Sequence, residues 1–245
     1  MQRHPPAAAH ALLVVCAFGA SLIPATAQTP TGIEREVREG LRGERDLRRL
    51  DVTVAGSEVT LTGELETFWS KSEAIRRTLE VDGVETVVSE IALPPAESDQ
   101  KLVEEVVKAM QRYAYYTVFD YLDGRINAGV VTLMGKVTPE RDKAGELFER
   151  VAKIRGVQDV QNQIETMTPS SGDDNLRRTI ARRIFSNAHF QRFSTQSNPP
   201  FHIIVENSVV TLLGYVQSDI ERLEMEGIVR RTSGILRVIN LLQTL

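Results

Sequence analysis

The sequence holds little of the chemistry that enzymes and metal sites require. It has one cysteine, Cys16, and four histidines, two of which, His4 and His10, lie among the first ten residues. A disulfide or a cysteine-rich zinc site needs more than one cysteine, so both are excluded within the chain. His189 and His202 have no acidic cluster between or beside them, and we therefore predict no metal site.

Recognisable catalytic motifs are also missing. The sequence shows no glycine-rich phosphate loop and no serine in a nucleophile-elbow context. Its carboxylates are numerous, but none are paired beside an apolar pattern that would shift a pKa for acid–base work. We predict a protein that is not an enzyme and uses no cofactor or small-molecule substrate. Its net charge of −4 argues against a nucleic-acid partner.

Only the N-terminus carries a long apolar run. Arg3 precedes the run from Ala11 to Ile23, which ends in Ala25-Thr26-Ala27. This is the pattern of a secretory signal peptide, and the run is too short for a comfortable membrane span of about 20 residues. We predict a signal peptide over residues 1–27 with cleavage after Ala27. The alternative is lipidation at Cys16, although Val15 is bulkier than the residue usual before such a cysteine.

A threefold internal repeat dominates the rest of the chain. Val59-Thr60-Leu61-Thr62-Gly63 aligns with Val131-Thr132-Leu133-Met134-Gly135 and with Val210-Thr211-Leu212-Leu213-Gly214. A second glycine block follows each copy after 20, 21 and 20 residues, at Gly83, Gly156 and Gly234. Repeats at a fixed period indicate a repeated supersecondary unit.

Each copy predicts the same order of elements, αββαβ. Val59, Leu61 and Leu65 alternate with polar residues, as in a half-buried strand, and a turn-prone pair before that strand indicates a hairpin. Apolar residues at helical spacing follow in copy two, from Ala144 to Ile154, and others precede the hairpin behind a possible Asp99 cap. We predict that the first glycines mark bulges or close backbone approaches, and that the second glycines are left-handed helix caps: Gly63, Gly135, Gly214; Gly83, Gly156, Gly234.

Proline and glycine breaks divide these copies into three modules. Pro94-Pro95-Ala96 and Thr168-Pro169-Ser170 would interrupt a helix or a strand. We predict module 1 over residues 28–96, module 2 over 97–168 and module 3 over 169–245. The fold class is then α+β, with each module a small three-stranded mixed sheet and two helices packed on one face. Domains of this size bury only about 60% of their unfolded surface, so we expect modules to pack on one another.

The repeated block resembles the BON domain of bacterial osmotic-shock and nodulation proteins. The resemblance rests on Val-Thr-Leu-x-Gly-x-Val, followed by Gly-Val and a valine-rich strand, and it covers nearly all of the chain after residue 27. It implies an αββαβ fold, a periplasmic or envelope location, and a binding role toward phospholipid membranes or envelope proteins without catalysis. Two departures stand out: Leu65 replaces the last valine of copy one, and residues 191–200 are inserted before the hairpin of copy three, which puts its first strand in doubt.

Differences among the copies suggest where binding could occur. Residues 170–245 hold nine basic and seven acidic side chains, whereas residues 28–96 hold nine and fourteen. In the opening helix of module 3, an apolar stripe of Leu176, Ile180 and Ile184 is flanked by four arginines, Arg177, Arg178, Arg182 and Arg183. Long arginine side chains can cover such a stripe while their charged groups reach an anionic surface. The alternative is an ordinary amphipathic helix with a solvated charged face.

Module 2 carries a second unusual segment, the tyrosine-rich stretch of residues 113–121, which holds four of the five tyrosines. Aromatic side chains with a polar tip are enriched at interfaces and at lipid headgroups. This makes Tyr115, Tyr116 and Phe119 binding candidates. The alternative is burial between helix and sheet, since residues 117–121 also have the β-branched and aromatic content of a first strand.

Two functions therefore remain open from sequence. One is an envelope protein that associates with anionic phospholipid. The other is a periplasmic protein-binding or chaperone-like stress protein. The arginine-flanked helix favours lipid, whereas three tandem modules suit multivalent binding of either kind.

Overall fold

The computed structural model describes residues 32–196 and 198–245. These form two compact units, one ending at Pro94 and one running from Pro95 to Leu245. Module 1 lies in the first unit, while modules 2 and 3 share the second. The predicted signal peptide and the alternative at Cys16 lie outside the described residues.

All three modules follow the predicted αββαβ order. Module 1 consists of α1 (Gly32–Leu41), β1 (Asp51–Ala55), β2 (Glu58–Glu64), α2 (Phe68–Leu79) and β3 (Thr86–Ala92). Module 2 consists of α3 (Asp99–Gln111), β4 (Tyr121–Asn127), β5 (Val130–Val137), α4 (Lys143–Ala152) and β6 (Asp159–Thr166). Module 3 consists of α5 (Ser171–Phe185), β7 (Phe201–Glu206), β8 (Val209–Val216), α6 (Asp219–Arg230), β9 (Arg237–Asn240) and β10 (Gln243–Thr244).

The second strand of each module is the centre of its sheet. It pairs antiparallel with the first strand through the hairpin and parallel with the strand that follows the second helix. A parallel partner requires a crossover, which the second helix supplies. The α+β class with small mixed sheets is thus confirmed. Module 3 differs from the expected three strands, because Leu241 and Leu242 interrupt its last strand and leave β9 and β10 as two pieces paired with β8.

Alternation along the central strands buries one face of each sheet. Val59 and Leu61 are fully buried and Leu65 is 4% exposed, as the spacing predicts. In module 1 they pack with Val37 and Leu41 of α1 in one apolar cluster. Packing of this cluster stabilises the module, since each fully buried aliphatic side chain contributes about 1.5–3 kcal/mol.

Two-residue turns close the hairpins, as predicted. Ala128 and Gly129 adopt φ values of 50° and 82°, and Asn207 and Ser208 adopt 51° and 61°. Left-handed conformations at both positions give a turn whose twist matches that of the flanking strands.

Two aspartates outside the hairpins bind these turns. Asp99 accepts hydrogen bonds from the backbone N–H groups of Ala128 and Gly129 at 3.1 and 3.2 Å. Asp173 does the same for Asn207 and Ser208, both at 2.9 Å. The prediction of Asp99 as helix cap was therefore wrong: Ser98 caps α3, and Asp99 is its first residue. Both residue types cap helices well, and the contact with the hairpin decides between them.

The glycines inside the central strands mark close backbone approaches. A Cβ atom on Gly135 would lie 2.0 Å from the carbonyl oxygen of Tyr121, and one on Gly214 would lie 2.3 Å from that of Pro200. These distances agree with the close backbone approach expected at Gly135 and Gly214. Gly63 shares the left-handed φ of 136° found at Gly135.

The second set of glycines does not cap helices, contrary to prediction. Gly83, Gly156 and Gly234 each lie four residues beyond the last helical residue, with φ values of 89°, 88° and 92°. The helices end at right-handed cap residues, such as Glu80 with φ −80°. Each glycine belongs to a second turn, which in module 1 is closed by the Val84 N–H on the Val81 carbonyl at 3.1 Å. The left-handed conformation was predicted correctly, but its place relative to the helix was not.

The inserted segment before the hairpin of module 3 adds aromatic side chains to the core of that module. Residues Gln191–Phe193 form a 3-10 turn, and the rings of Phe190 and Phe193 lie 6.0 and 5.4 Å from the ring of Phe201. The first strand that the insertion had put in doubt is β7, which begins at Phe201.

Candidate functional site

The arginine-rich helix α5 directs its apolar stripe into the module. Ile180 and Ile184 are fully buried, and Leu176 packs against the same cluster. The stripe is therefore core, and α5 can meet a membrane only through its charged edge.

Arg177 does not belong to that edge. It is 3% exposed, and its guanidinium donates to the Asp174 carboxylate at 2.6 Å and to the Val205 backbone carbonyl at 2.5 Å. The prediction of Arg177 as a binding residue is corrected on this ground. Helical spacing predicts that Arg177 lies beside the apolar stripe, as it does. Its long side chain, however, reaches strand β7 and connects α5 to the sheet.

The other three predicted arginines are exposed. Arg178 hydrogen bonds to the Asn175 side chain at 2.6 Å, and Arg183 donates to the carbonyl of Arg231 at 2.8 Å. Arg178 and Arg182 are four residues apart and so lie on one helical face. Arg231, which is 65% exposed, extends this charge at the end of α6. We call Arg178, Arg182, Arg183 and Arg231 the basic surface; sequence analysis missed Arg231 because it caps a different helix, α6.

An exposed leucine follows the turn next to α5. A Cβ atom on Gly234 would touch Leu176 at 3.5 Å, which places that turn against the helix. Leu236, two residues further on, is 81% exposed. Module 3 thus presents arginines and a large apolar side chain near the same helix.

The tyrosine-rich stretch joins modules 2 and 3. Its residues 117–119 form a turn before β4, so the prediction of a first strand over residues 117–121 was wrong. Tyr113 alone is fully inside module 2, where it packs with Val137 and Leu147 and donates to Glu146 at 2.6 Å. Tyr115 is 51% exposed, with the Arg141 guanidinium carbon 3.5 Å above its ring.

Further along this stretch, side chains of module 2 enter the core of module 3. Val118 belongs to the apolar cluster of module 3, and Phe119 packs against it. The backbone carbonyl of Val118 accepts the N–H of Ile203 in β7 at 2.7 Å. The expectation that modules pack on one another is met here for modules 2 and 3. We call this contact the junction; its side chains are Tyr116, Val118, Phe119, Tyr121 and His202.

A buried ion pair holds the junction segment in place. Lys143 and Asp120 are 1% and fully buried respectively, and the Lys143 Nζ lies 2.8 Å from Asp120 Oδ2. The same carboxylate accepts from the backbone N–H groups of Thr117 and Thr138, both at 2.8 Å. Sequence reasoning missed this pair, because the two residues are far apart in the chain and each looks like a surface residue.

Module 1 holds a second candidate site that was not predicted. A crevice of about 220 Å³ is lined by four apolar residues and three arginines: Leu41, Leu47, Leu50 and Val52; Arg38, Arg42 and Arg48. Arg38 is partly committed, since it pairs with Glu34 at 3.0 Å and donates to the Val52 carbonyl at 3.2 Å. The crevice is positively charged within an otherwise acidic module.

Across residues 32–196 and 198–245 no cluster of three histidine, cysteine or carboxylate side chains could hold a metal ion. Within the same ranges, no helix has the length and apolar character needed to cross a bilayer.

Comparison with known proteins identifies the family. Two solved structures, both of CdsD, a structural protein of the type III secretion system of Chlamydia trachomatis, are similar at 12% identity. The first, its C-terminal domain, has a TM-score of 0.24 over 87% of this chain and 98% of that chain; the second has 0.25 over 86% and 91%. No curated protein matches. Three segments, residues 30–95, 120–167 and 172–245, match the BON domain, and this chain therefore belongs to the BON domain family.

Proposed function

We propose that the protein is a non-enzymatic, periplasmic binding protein that associates with anionic phospholipid membranes through the basic surface of module 3. Membership of the BON family supports an envelope role in phospholipid binding, and this family is generally non-enzymatic. The predicted signal peptide supports export to the periplasm.

The exposure of the arginines on α5 is the observation that carries this proposal. Arg178, Arg182 and Arg183 are exposed to solvent, while Ile180 and Ile184 anchor the same helix in the core. A basic side chain near an anionic membrane contributes about 1 kcal/mol, so these three would contribute about 3 kcal/mol. This corresponds to about a hundredfold in partitioning and gives weak, reversible binding.

Flotation with liposomes tests the proposal. The chain from residue 28 onward should float with vesicles that contain phosphatidylglycerol and not with phosphatidylcholine alone. Raising the salt concentration should release it, because salt screens exposed charges. Absence of salt-sensitive flotation would refute the lipid proposal.

A matched pair of triple variants locates the binding surface. R178E/R182E/R183E should lose flotation. K101E/K108E/R112E reverses the same number of exposed charges on α3 of module 2 and its C-cap residue Arg112, and should keep most of the flotation. Equal losses in both variants would mean that only net charge matters. An unchanged first variant would move the site to the crevice of module 1 or to Tyr115.

A protein-binding function is the second candidate, favoured by a different surface. Helix α6 exposes Ile220 and Leu223, at 69% and 60%, on one turn of its outer face. Apolar side chains on an exposed helix face can bind unfolded or partner segments. In an assay of client aggregation, the wild-type chain should suppress aggregation and I220S/L223S should not, while the arginine variant should behave as wild type.

A further inference from the structure

Strand β7 is at the edge of its sheet, and module 2 covers that edge. One side of β7 pairs with β8, while on the other side the N–H of Ile203 donates to the Val118 carbonyl at 2.7 Å. An uncovered strand edge is a template for pairing with another chain. The junction therefore decides whether this edge is available.

His202 lies at the centre of the junction. Alternation along β7 places it on the face opposite Ile203, where its ring centroid lies 5.6 Å from that of Tyr116 and 5.7 Å from that of Tyr121. Its Nδ1 is buried without a hydrogen-bond partner among the described residues. The Asp120 backbone is also near the ring and favours its protonated form, but less strongly than burial opposes it. The neutral form fits this site, since a neutral imidazole leaves one nitrogen without a proton.

The protonated form does not fit the same space. A proton on Nδ1 would have no acceptor, and the added charge would lie among aromatic rings. Burial accordingly lowers the pKa of His202, and this outweighs the opposing attraction of Asp120. The Asp120 carboxylate binds Lys143 and backbone N–H groups, and the positive charge of Lys143 offsets much of its attraction for an imidazolium.

Other ionisable groups also lie at or near the junction. They come from the segment before β4, from β4, β5 and β6, from α4 and from module 3: Tyr116, Asp120, Tyr121, Asp123, Lys136, Lys143, Glu165, Glu206 and Tyr215. Burial raises the pKa of Tyr116 and of Tyr121, so both stay neutral. Lys136 stays charged, because the Glu206 carboxylate at 2.6 Å raises its pKa further.

We propose that His202 makes the junction a proton-operated latch: mild acid opens it, and opening uncovers the edge of β7 together with the apolar side chains of Val118 and Phe119. The open form binds a proton on His202 readily, whereas the closed form resists it. The closed state is therefore fully favoured above the ordinary histidine pKa of 6.5 and is weakened as the pH falls below that value. The opening constant is therefore larger at pH 5.5 than at pH 7.5, by at most about tenfold, the limit at which the closed form takes up no proton in this range.

Amide hydrogen exchange measures this opening in the intact mature chain. After correction for intrinsic exchange, protection of the Ile203 amide should fall between pH 7.5 and pH 5.5, by up to about tenfold. Amides of the central strand β8, which need unfolding of module 3, should change much less. Carboxylates with ordinary or lowered pKa values stay ionised across this range.

Two substitutions provide the controls. H202F keeps an aromatic ring but cannot titrate, and its Ile203 protection should be independent of pH. H189F removes the exposed histidine of the same module and should respond like the wild type. A wild-type protection that does not change with pH, or an unchanged response in H202F, would overturn the proposal.

A titration of the wild-type chain keeps the test valid if H202F does not fold. The ring protons of His202 should titrate below the ordinary histidine value of 6.5 in an NMR experiment. Titration of His202 at or above the ordinary value would refute the latch. This result is independent of lipid binding, which depends on a different surface.

Discussion

The buried pair of Lys143 and Asp120 permits a quantitative test of how the junction segment is held. We expect K143M to leave the Asp120 carboxylate without its charge partner in a site from which water is excluded. Breaking a buried pair by removing one partner costs about 3–5 kcal/mol. Methionine has nearly the volume of the lysine stem, so the loss arises from the charge rather than from a cavity.

Urea denaturation followed by far-UV circular dichroism measures this loss. The transition of the unit that contains modules 2 and 3 should move to lower urea with an unchanged slope. K108M removes an exposed lysine whose Nζ lies 2.8 Å from Glu105, and it should cost less than about 1 kcal/mol. Adding D120N to K143M should recover part of the loss, because no unpaired charge then remains buried.

A decrease of less than about 1 kcal/mol in the free energy of unfolding of K143M would refute this reasoning. The pair would then contribute no more than an ion pair on the protein surface. No recovery in the double variant would show that the hydrogen bonds from Asp120 to the backbone matter more than its charge.

Three further predictions concern single residues. G135A should destabilise by about 2–4 kcal/mol in thermal unfolding, because its Cβ would meet a carbonyl oxygen, whereas G172A, in the open first turn of α5, should be neutral. Hydrogen bonds from Arg76, then from Arg77, lower the pKa of Glu73 to about 2 against the opposing effect of burial. The free energy of unfolding of module 1 should therefore decrease by about 1–2 kcal/mol as the pH falls from 4.5 toward 2. The E73Q variant should lack this pH dependence. R177A should destabilise module 3 by about 2–3 kcal/mol in urea and leave flotation of the folded protein unchanged.

Local pattern was sufficient to predict the repeated architecture. The strands, the hairpins and the helix after each hairpin follow from alternation, turn residues and helical spacing, all of which act within a few residues of one another. Val59 and Leu61 could be assigned to the core because their burial depends only on which face of the strand they occupy.

Contacts over longer range explain the failures. Whether Ser98 or Asp99 caps α3 depends on the hairpin, whose turn takes the Asp99 carboxylate. Residues 117–119 have the composition of a strand, but they do not pair in the sheet of module 2. Instead, the side chains of Val118 and Phe119 pack into the apolar core of module 3. Arg177 was placed on the surface because spacing along a helix does not show that a guanidinium can reach the carbonyl of a neighbouring strand.

The candidate binding residues could be predicted only in part. Exposure of Arg178, Arg182 and Arg183 agrees with the expectation of a charged helix face. The crevice of module 1 and Arg231 could not be found, since their residues are brought together by the packing of separate elements.

The junction also sets the order of the modules along the chain. Val118 and Phe119 occur in the second copy, and the strand that receives them belongs to the third. The two copies share one fold, but they cannot be exchanged along the chain. A chain with copies two and three exchanged would keep all three modules, but the segment that covers the edge of β7 would no longer precede that strand. The three units are similar, and one short segment that differs among them makes two of the units an ordered pair.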